Sequence, residues 1–228
     1  MAKQDHTKII SGKDLGQLAL DDFCPRCFWL ERHNGKYPQI FPGIFSTLDS
    51  LTKKSVQRSF IKRSRQPDWL PLEDIQSVVD FKQIKVPTEY GDWTLTGTPD
   101  DVFQLTDGTF LIADYKTARY SENQDKLLSM YRVQLNAYAY TLPKQGISPI
   151  SRLALIYCEP SENLDTDTDF KLSFSIHTHE IPLDTSEIPT LLLRAREILD
   201  SEYPPLANPS CKGICAWMDQ VYQNGDLD

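Results

Sequence analysis

Long hydrophobic runs are missing from this sequence, and no window approaches the roughly eighteen consecutive apolar residues that a membrane-spanning helix needs. Residues 1–10 carry several charges and no apolar stretch ahead of a small-residue cleavage site, so we expect no secretory signal. Glycine is scarce, with 10 residues against 15 prolines, and the chain has no internal repeat and no low-complexity tract. These absences exclude membrane, fibrous and wholly disordered classes. We therefore expect a globular, cytoplasmic protein without a membrane partner.

The length of 228 residues suits one domain of ordinary core size. We expect its core over residues 45–202, with cysteine-bearing terminal segments over residues 1–44 and 203–228. Hydrophobic periodicity predicts, in order, a helix, three strands, a helix, two strands and a helix. This order is typical of an α/β fold in which helices flank a mixed β-sheet. The predicted helices cover residues 49–65, 123–142 and 186–202, and the predicted strands cover residues 81–89, 93–105, 109–115, 152–158 and 170–181.

Charge is distributed unevenly along the chain. The net charge of -8 argues against simple binding of polyanions. Residues 51–65, however, contain six basic and no acidic side chains, whereas residues 159–187 contain eight acidic side chains and one base. The basic stretch predicts an amphipathic helix, and its basic face could bind the phosphates of DNA or could simply be solvated. The predicted nucleic-acid-binding residues on this face are Lys54, Arg58, Lys62 and Arg65.

A turn at residues 106–108 separates two predicted strands that carry acidic residues. If the turn uses three residues and Gly108 takes a positive φ, Leu105 pairs with Thr109 and Asp100 lies opposite Asp114. A two-residue turn would instead place the two acids on opposite faces of the sheet. The three-residue turn therefore predicts a pair of carboxylates about 5 Å apart at Cβ.

Two carboxylates at that distance repel each other unless a cation lies between them. Lys116 is two residues beyond Asp114 and projects from the same face of the strand. Two oxygen ligands beside an ammonium group suit Mg²⁺ or Mn²⁺, which can generate hydroxide and stabilise charge on a phosphate. The alternative interpretation is a surface ion pair between Asp114 and Lys116. The combination with Asp100 favours a site for phosphodiester hydrolysis.

Three motifs, Gly97-x-x-Asp100, Asp114-x-Lys116 and Gln134-x-x-x-Tyr138, resemble the signature motifs of the RecB-like branch of the PD-(D/E)XK nucleases. CRISPR-associated members of that branch also carry cysteines near both termini. The resemblance implies a restriction-endonuclease-like core. It also implies metal binding by two carboxylates and one backbone carbonyl, activation of water by a lysine, and a glutamine and tyrosine that face the site. In this sequence the two carboxylates are Asp100 and Asp114, the carbonyl is that of Tyr115, and the lysine is Lys116. The glutamine and the tyrosine are Gln134 and Tyr138.

One departure from that family concerns a metal ligand. Relatives usually carry a metal-binding histidine on the helix before these strands, and residues 43–49 contain none. Asp49 is the nearest substitute ligand, and Ser46 is second. Glu89 on the preceding predicted strand is a candidate accessory carboxylate.

The cysteines occur mostly in pairs. Cys24-x2-Cys27 lies near the start and Cys211-x3-Cys215 near the end, and Cys158 stands alone. A reducing compartment argues against disulfides, so the pairs are either buried thiols or ligands of one metal centre. In the resembling family such cysteines hold a [4Fe-4S] cluster, usually split one and three. The division into two and two keeps Zn²⁺ as an alternative.

Together the motifs predict a Mg²⁺- or Mn²⁺-dependent nuclease that cleaves single-stranded or end-bearing DNA. The missing histidine leaves a second hypothesis, in which the fold has lost turnover and binds nucleic acid or a protein partner.

Overall fold

A computed structural model describes residues 8–35, 42–80, 84–88, 93–121, 126–165 and 171–223. Within these residues no helix has both the length and the apolar character needed to span a bilayer. The predicted candidate Glu89 lies outside the described residues. In chain order the elements are β1 (Ile9–Ser11), α1 (Gly12–Gln17), α2 (Pro25–Asn34), α3 (Gly43–Arg63), β2 (Ile75–Val78), β3 (Ile84–Pro87), β4 (Thr94–Gly97), β5 (Asp101–Leu105), β6 (Phe110–Lys116), α4 (Leu128–Thr141), a 3-10 helix (Leu142–Gln145), β7 (Ile150–Asp165), β8 (Lys171–Ile181), α5 (Ile188–Leu199) and α6 (Ile214–Gln223).

The predicted α/β fold with mixed β-structure and flanking helices is confirmed, but the described strands form two sheets. Five strands pair in the order β2-β5-β6-β7-β8, and three pair in the order β1-β4-β3. The predicted strand over residues 93–105 is split between the sheets, since β4 ends at Gly97 and β5 begins at Asp101. Pro99 lies in the break, and a proline has no N–H to donate to a strand ladder.

The central strands β6 and β7 are parallel and covered on both faces. On one face Ile112 and Leu155 are buried with Leu135 of α4. On the other face Ala113 and Ile156 are buried together with side chains from α3. Burial on both faces is typical of parallel strands and explains the continuous apolar run at the start of β6.

Helix α3 starts at Gly43, six residues before the predicted helix, and ends at Arg63. Ser64 takes a left-handed conformation with φ 53, and its N–H bonds to the carbonyl of Phe60. Arg65 therefore lies beyond the helix rather than on its basic face, and its guanidinium contacts Asp68 at 2.6 Å. The predicted helix therefore ends two residues early, and the prediction that Arg65 lies on its basic face is wrong.

Candidate active site and cysteine cluster

The turn between β5 and β6 has the predicted three-residue geometry. Gly108 takes φ 84, and its N–H bonds to the carbonyl of Leu105 at 2.9 Å. The N–H of Leu105 bonds in turn to the carbonyl of Thr109 at 2.8 Å. Asp101, the first residue of β5, pairs with Ala113 of β6. The same antiparallel register, continued by one residue, brings Asp100 opposite Asp114. Asp100 and Asp114 therefore meet at the end of the ladder.

The Asp100 carboxylate has a partner on each oxygen. Its Oδ2 accepts the backbone N–H of Tyr115 at 2.8 Å, and its Oδ1 lies 2.6 Å from Nζ of Lys53. The same Nζ lies 2.8 Å from Oδ2 of Asp49, so one ammonium joins two carboxylates. Burial and the charge of Asp114 raise the pKa of Asp100 to about 6, although Lys53 and the Tyr115 N–H act in the opposite direction.

Asp114 is only 3% exposed, and the other residues predicted for the catalytic site lie around it. Its Oδ2 forms an ion pair with Nζ of Lys116, and its Oδ1 accepts from Nε2 of Gln134 at 3.3 Å. Nε2 of Gln134 also donates to the hydroxyl of Tyr138 at 2.9 Å. The Lys116 ammonium lies 4.2 Å from the centre of the Tyr131 ring. The structure thus brings Asp100, Asp114, Lys116, Gln134 and Tyr138 together.

The glycine of the first motif makes room for the tyrosine of the third. A Cβ on Gly97 would overlap the Tyr138 ring, lying 2.9 Å from its Cδ1. Burial raises the pKa of Tyr138, so its hydroxyl keeps its proton at neutral pH. The ring is therefore held between β4 and the carboxylates.

Two residues near the carboxylates were not identified from sequence. Lys53 bridges Asp49 and Asp100, and its spacing of four residues from Asp49 on a predicted helix was the available signal. Asp101 is buried, and its Oδ2 accepts the hydroxyl of Tyr115 at 2.7 Å. Burial raises the pKa of Asp101 to about 7. Nothing in its sequence position distinguished Asp101 from a polar residue at a strand start.

The donor set fits a hard divalent cation. Oδ2 of Asp114 is buried, and its partner is the ammonium of Lys116. Oε1 of Gln134 is also buried and has no hydrogen-bond partner among the described residues. Carboxylate and amide oxygens are the ligands that Mg²⁺ and Mn²⁺ prefer. The two carboxylates and the unpartnered Oε1 of Gln134 therefore form a suitable partial ligand set.

A cavity of about 480 Å³ opens beside Lys116 and Tyr115, and Asp49 and Ser46 of α3 also line it. The Ser46 hydroxyl already donates to the carbonyl of Gly43 at 2.8 Å. Asp49 faces Asp100 across the Lys53 ammonium rather than directly. Asp49 and Ser46 are the two candidate substitutes for the missing histidine. Of the two, Asp49 is the one whose side chain lies next to the pair of carboxylates.

The exposed side of α3 carries a basic groove of about 660 Å³. Lys54, Arg58 and Lys62 line it, and none of their side chains forms an ion pair or hydrogen bond with a described residue. Arg63 also lines this groove but contacts Asp68.

The four paired cysteines converge although they lie at opposite ends of the sequence. Their Sγ atoms all lie within 4.8 Å of one another. Cys27 Sγ is 3.1 Å from that of Cys215 and 3.5 Å from that of Cys211, and Cys24 Sγ is 3.9 Å from that of Cys215. Among the described residues this is the only group of three or more such ligand atoms close together. Cys158 lies apart from it and is buried.

The pKa values of the clustered thiols diverge. Burial raises the pKa of Cys24, but hydrogen bonds from the backbone of Cys27 and Asn208 and from neighbouring thiols lower it to about 7. Burial and bonds to its neighbours raise the pKa of Cys27. The hydrogen bonds to Cys24 thus favour its thiolate form, which is the form that binds a metal ion.

This chain is similar to known proteins of solved structure and matches a family model. The chain is similar to the crystal structure of SSO0001, with a TM-score of 0.48 and 15% identity over 90% of this chain and 81% of that chain. It is also similar to a phage related exonuclease from Haemophilus somnus 129PT, with a TM-score of 0.43 and 15% identity over 77% of this chain and 79% of that one. The search of curated proteins gives no match. A family model described as the PD-(D/E)XK nuclease superfamily matches residues 29–220, and because this match spans most of the chain, the protein belongs to that superfamily.

Proposed function

We propose that this chain is a metal-dependent nuclease of the RecB-like branch that hydrolyses phosphodiester bonds of DNA, with single-stranded or end-bearing DNA as substrate. The observation that carries the proposal is the meeting of Asp100 and Asp114 at the end of one strand ladder, with Lys116 paired to Asp114. We infer that residues 1–228 act as one domain in the cytoplasm. The superfamily supports hydrolysis of nucleic acid, and the unpartnered Oε1 of Gln134 beside two carboxylates supports a bound cation.

The residues have separable roles in this proposal. Asp100, Asp114 and the carbonyl of Tyr115 would hold Mg²⁺ or Mn²⁺, which when bound polarises the phosphate and acidifies a water molecule. Lys116 orients the attacking water and stabilises negative charge that develops on the phosphate. Gln134 donates to Asp114 and so holds that carboxylate in one orientation.

Tyr138 and Asp49 act at the edge of the site. Tyr138 positions Gln134 through its hydroxyl and is a positioning residue rather than a ligand. Asp49 would join the metal only if the Lys53 ammonium left its place between Asp49 and Asp100.

That ammonium also favours a second candidate function. Because Lys53 already supplies a positive charge to Asp49 and Asp100, these carboxylates are partly neutralised without a metal ion. In the second candidate the chain has lost turnover and binds nucleic acid or a protein partner through the same fold.

A cleavage assay separates the two candidates. Labelled single- and double-stranded DNA is incubated with the wild-type chain, with and without Mn²⁺. We expect Mn²⁺-dependent cleavage that falls at least roughly a hundredfold in Asp114→Ala and in Lys116→Ala. Asp21→Ala and Lys144→Ala alter exposed side chains away from the carboxylates and serve as matched controls. Full activity in Asp114→Ala would remove the catalytic assignment, and binding without cleavage by the wild type would support the second candidate.

We also propose that Cys24, Cys27, Cys211 and Cys215 hold one metal centre that joins α2 to the start of α6. Four thiolates around one Zn²⁺ at about 2.3 Å lie about 3.8 Å apart, and the four Sγ atoms, which all lie within 4.8 Å of one another, include distances of 3.1, 3.5 and 3.9 Å. A [4Fe-4S] cluster places an iron behind each thiolate and would require the four Sγ atoms to spread. The distances therefore favour Zn²⁺ over the cluster found in the resembling family.

Metal analysis and the visible absorbance of anaerobically purified protein test this centre. We expect one zinc per chain and no colour, whereas four irons with a broad visible band would identify the cluster. Cys24→Ser should lose the metal and Cys158→Ser should keep it. A metal-free wild type, or equal metal content in both variants, would contradict the assignment.

A further inference from the structure

A third cavity lies along α3, between the carboxylate site and the basic groove. It has a volume of about 380 Å³, which is within the range of small-molecule sites. Its lining is mostly apolar and includes Leu51, Trp69, Phe174 and Ile176. The Leu51 side chain is 56% exposed at this surface. An apolar cavity beside a charged helix face suits an occupant that has both apolar surface and charge.

This cavity shares residues with the sites on either side of it. Thr117, which directly follows Lys116, lines both this cavity and the one beside the carboxylates. Leu51, Ser55 and Trp69 line both this cavity and the basic groove. The three depressions therefore lie side by side along α3. From Asp49 to Lys62 this helix measures about 20 Å, which is enough for a few nucleotides of one strand.

The charges at the two ends suit consecutive phosphates. At one end Lys54, Arg58 and Lys62 are exposed and form no ion pair with a described residue. At the other end lie Lys116 and the proposed metal ligands. A strand whose phosphates follow these cations would place its bases over the apolar cavity between them. The cavity then binds the base, which is the uncharged part of the nucleotide.

Trp69 is the side chain best placed to contact a base. Its ring is half-buried in the lining, and its Nε1–H donates to the hydroxyl of Ser55 at 3.2 Å, which holds the indole in one orientation. A held aromatic ring stacks on any base at little cost in side-chain entropy. A base paired within a duplex is already stacked and is not free to enter.

We propose that this cavity is a nucleobase subsite, in which Trp69 stacks on an unpaired base of the strand led to the carboxylates. The subsite rests on the proposed nuclease function and adds to it the feature that selects single-stranded DNA. Its occupant is a nucleotide of the substrate strand, and the shared residues make it continuous with both the phosphate-binding groove and the cleavage site.

Binding of two matched probes in EDTA tests the subsite without cleavage. The first is a fluorescent 12-nucleotide oligothymidylate, and the second is a strand of the same length whose central residues are abasic. We expect the wild type to bind the oligothymidylate roughly tenfold more tightly. Trp69→Leu should remove this preference without changing binding of the abasic strand, and Trp69→Phe should keep most of it. Tyr203→Leu replaces an exposed aromatic outside the three cavities and should keep all of it.

Thermal melting checks that each variant is folded, since Trp69 also packs against the core. Leu51→Ser changes an exposed lining residue with little effect on packing and should lower the preference about threefold. Equal affinity of the wild type for both probes, or an unchanged preference in folded Trp69→Leu or Leu51→Ser, overturns the subsite. If one of these results is obtained and the wild type still shows Mn²⁺-dependent cleavage, only the subsite is overturned. A wild type that neither binds nor cleaves either strand overturns the nuclease function as well.

Discussion

The Asp100 carboxylate accepts the backbone N–H of Tyr115 at 2.8 Å. The β5–β6 ladder ends with the pair Asp101 and Ala113, so this N–H lies beyond the last paired residue of β5. The side chain of Asp100 takes the place of a main-chain acceptor there. As a result, the carboxylate is held over the end of β6, beside Asp114. The same geometry places two carboxylates together, as the proposed cation site requires.

Manganese binding should weaken as the pH falls below about 6. Burial and the charge of Asp114 raise the pKa of Asp100 to about 6, so this group takes up a proton in that range, and a metal ion needs it ionised. Calorimetric titration should give an affinity for Mn²⁺ roughly tenfold lower at pH 5 than at pH 7. Asp100→Asn should bind weakly at both pH values. An affinity of the wild type that does not change between pH 5 and 7 would contradict the role of Asp100.

Lys53→Met should destabilise the metal-free chain by about 1–2 kcal/mol at pH 8, because Asp49 and Asp100 lose their shared positive partner. Added Mn²⁺ should then raise the Tm of the variant more than that of the wild type, because the ion replaces the lost ammonium charge. Thermal melting in EDTA and in Mn²⁺ measures both effects. Lys54→Met, one residue along on the exposed side of α3, is the control. An equal rise in Tm for wild type and Lys53→Met would show that Lys53 is unconnected with the metal.

Gly97→Ala should destabilise the chain by about 1–3 kcal/mol, because the added Cβ overlaps the buried ring of Tyr138. Movement of that ring also disturbs its bond to Gln134, so cleavage should fall along with stability. Gly43→Ala is the matched control, since a Cβ there meets no atom within 4 Å. Denaturant unfolding gives the free energy of unfolding for both variants. Unchanged stability in Gly97→Ala would show that the ring has room to move.

The basic groove should contribute to DNA binding through charge. Lys54→Gln, Arg58→Gln and Lys62→Gln should each reduce the slope of log K against log salt by about 0.7 on single-stranded DNA. Arg65→Gln should have a smaller effect, because the Arg65 guanidinium is already paired with Asp68. Fluorescence anisotropy over a salt series measures these slopes, with Lys144→Gln as the control. Equal slopes in all the variants and the wild type would place the DNA elsewhere.

The hairpin and the meeting of the acids were predictable because local rules determine them. A turn with glycine at its third position sets the register, and the register places Asp100 opposite Asp114. The helical spacing of Gln134 and Tyr138 likewise put both on one face of α4. Each of these features depends on residues close in sequence.

The remaining features depend on contacts between distant residues. Lys53 reaches Asp100 only because α3 packs against the end of the sheet, and spacing along the chain shows nothing of that contact. The division into two sheets falls between β4 and β5, where Pro99 lies, and the effect of this proline on strand pairing appears only once each strand has a partner. Helix α1 has six residues and a single Ser11 cap, too short for a periodic pattern to emerge.

Anomalous diffraction from crystals of the wild-type chain soaked in Mn²⁺ locates the metal ion relative to the two carboxylates. We expect a manganese peak in contact with the carboxylates of both Asp100 and Asp114, near Nζ of Lys116 and separate from any peak at the four cysteines. Loss of this peak in Asp114→Asn would complete the result. Manganese bound only at other acidic side chains, with the Asp100 and Asp114 carboxylates turned apart, would contradict it.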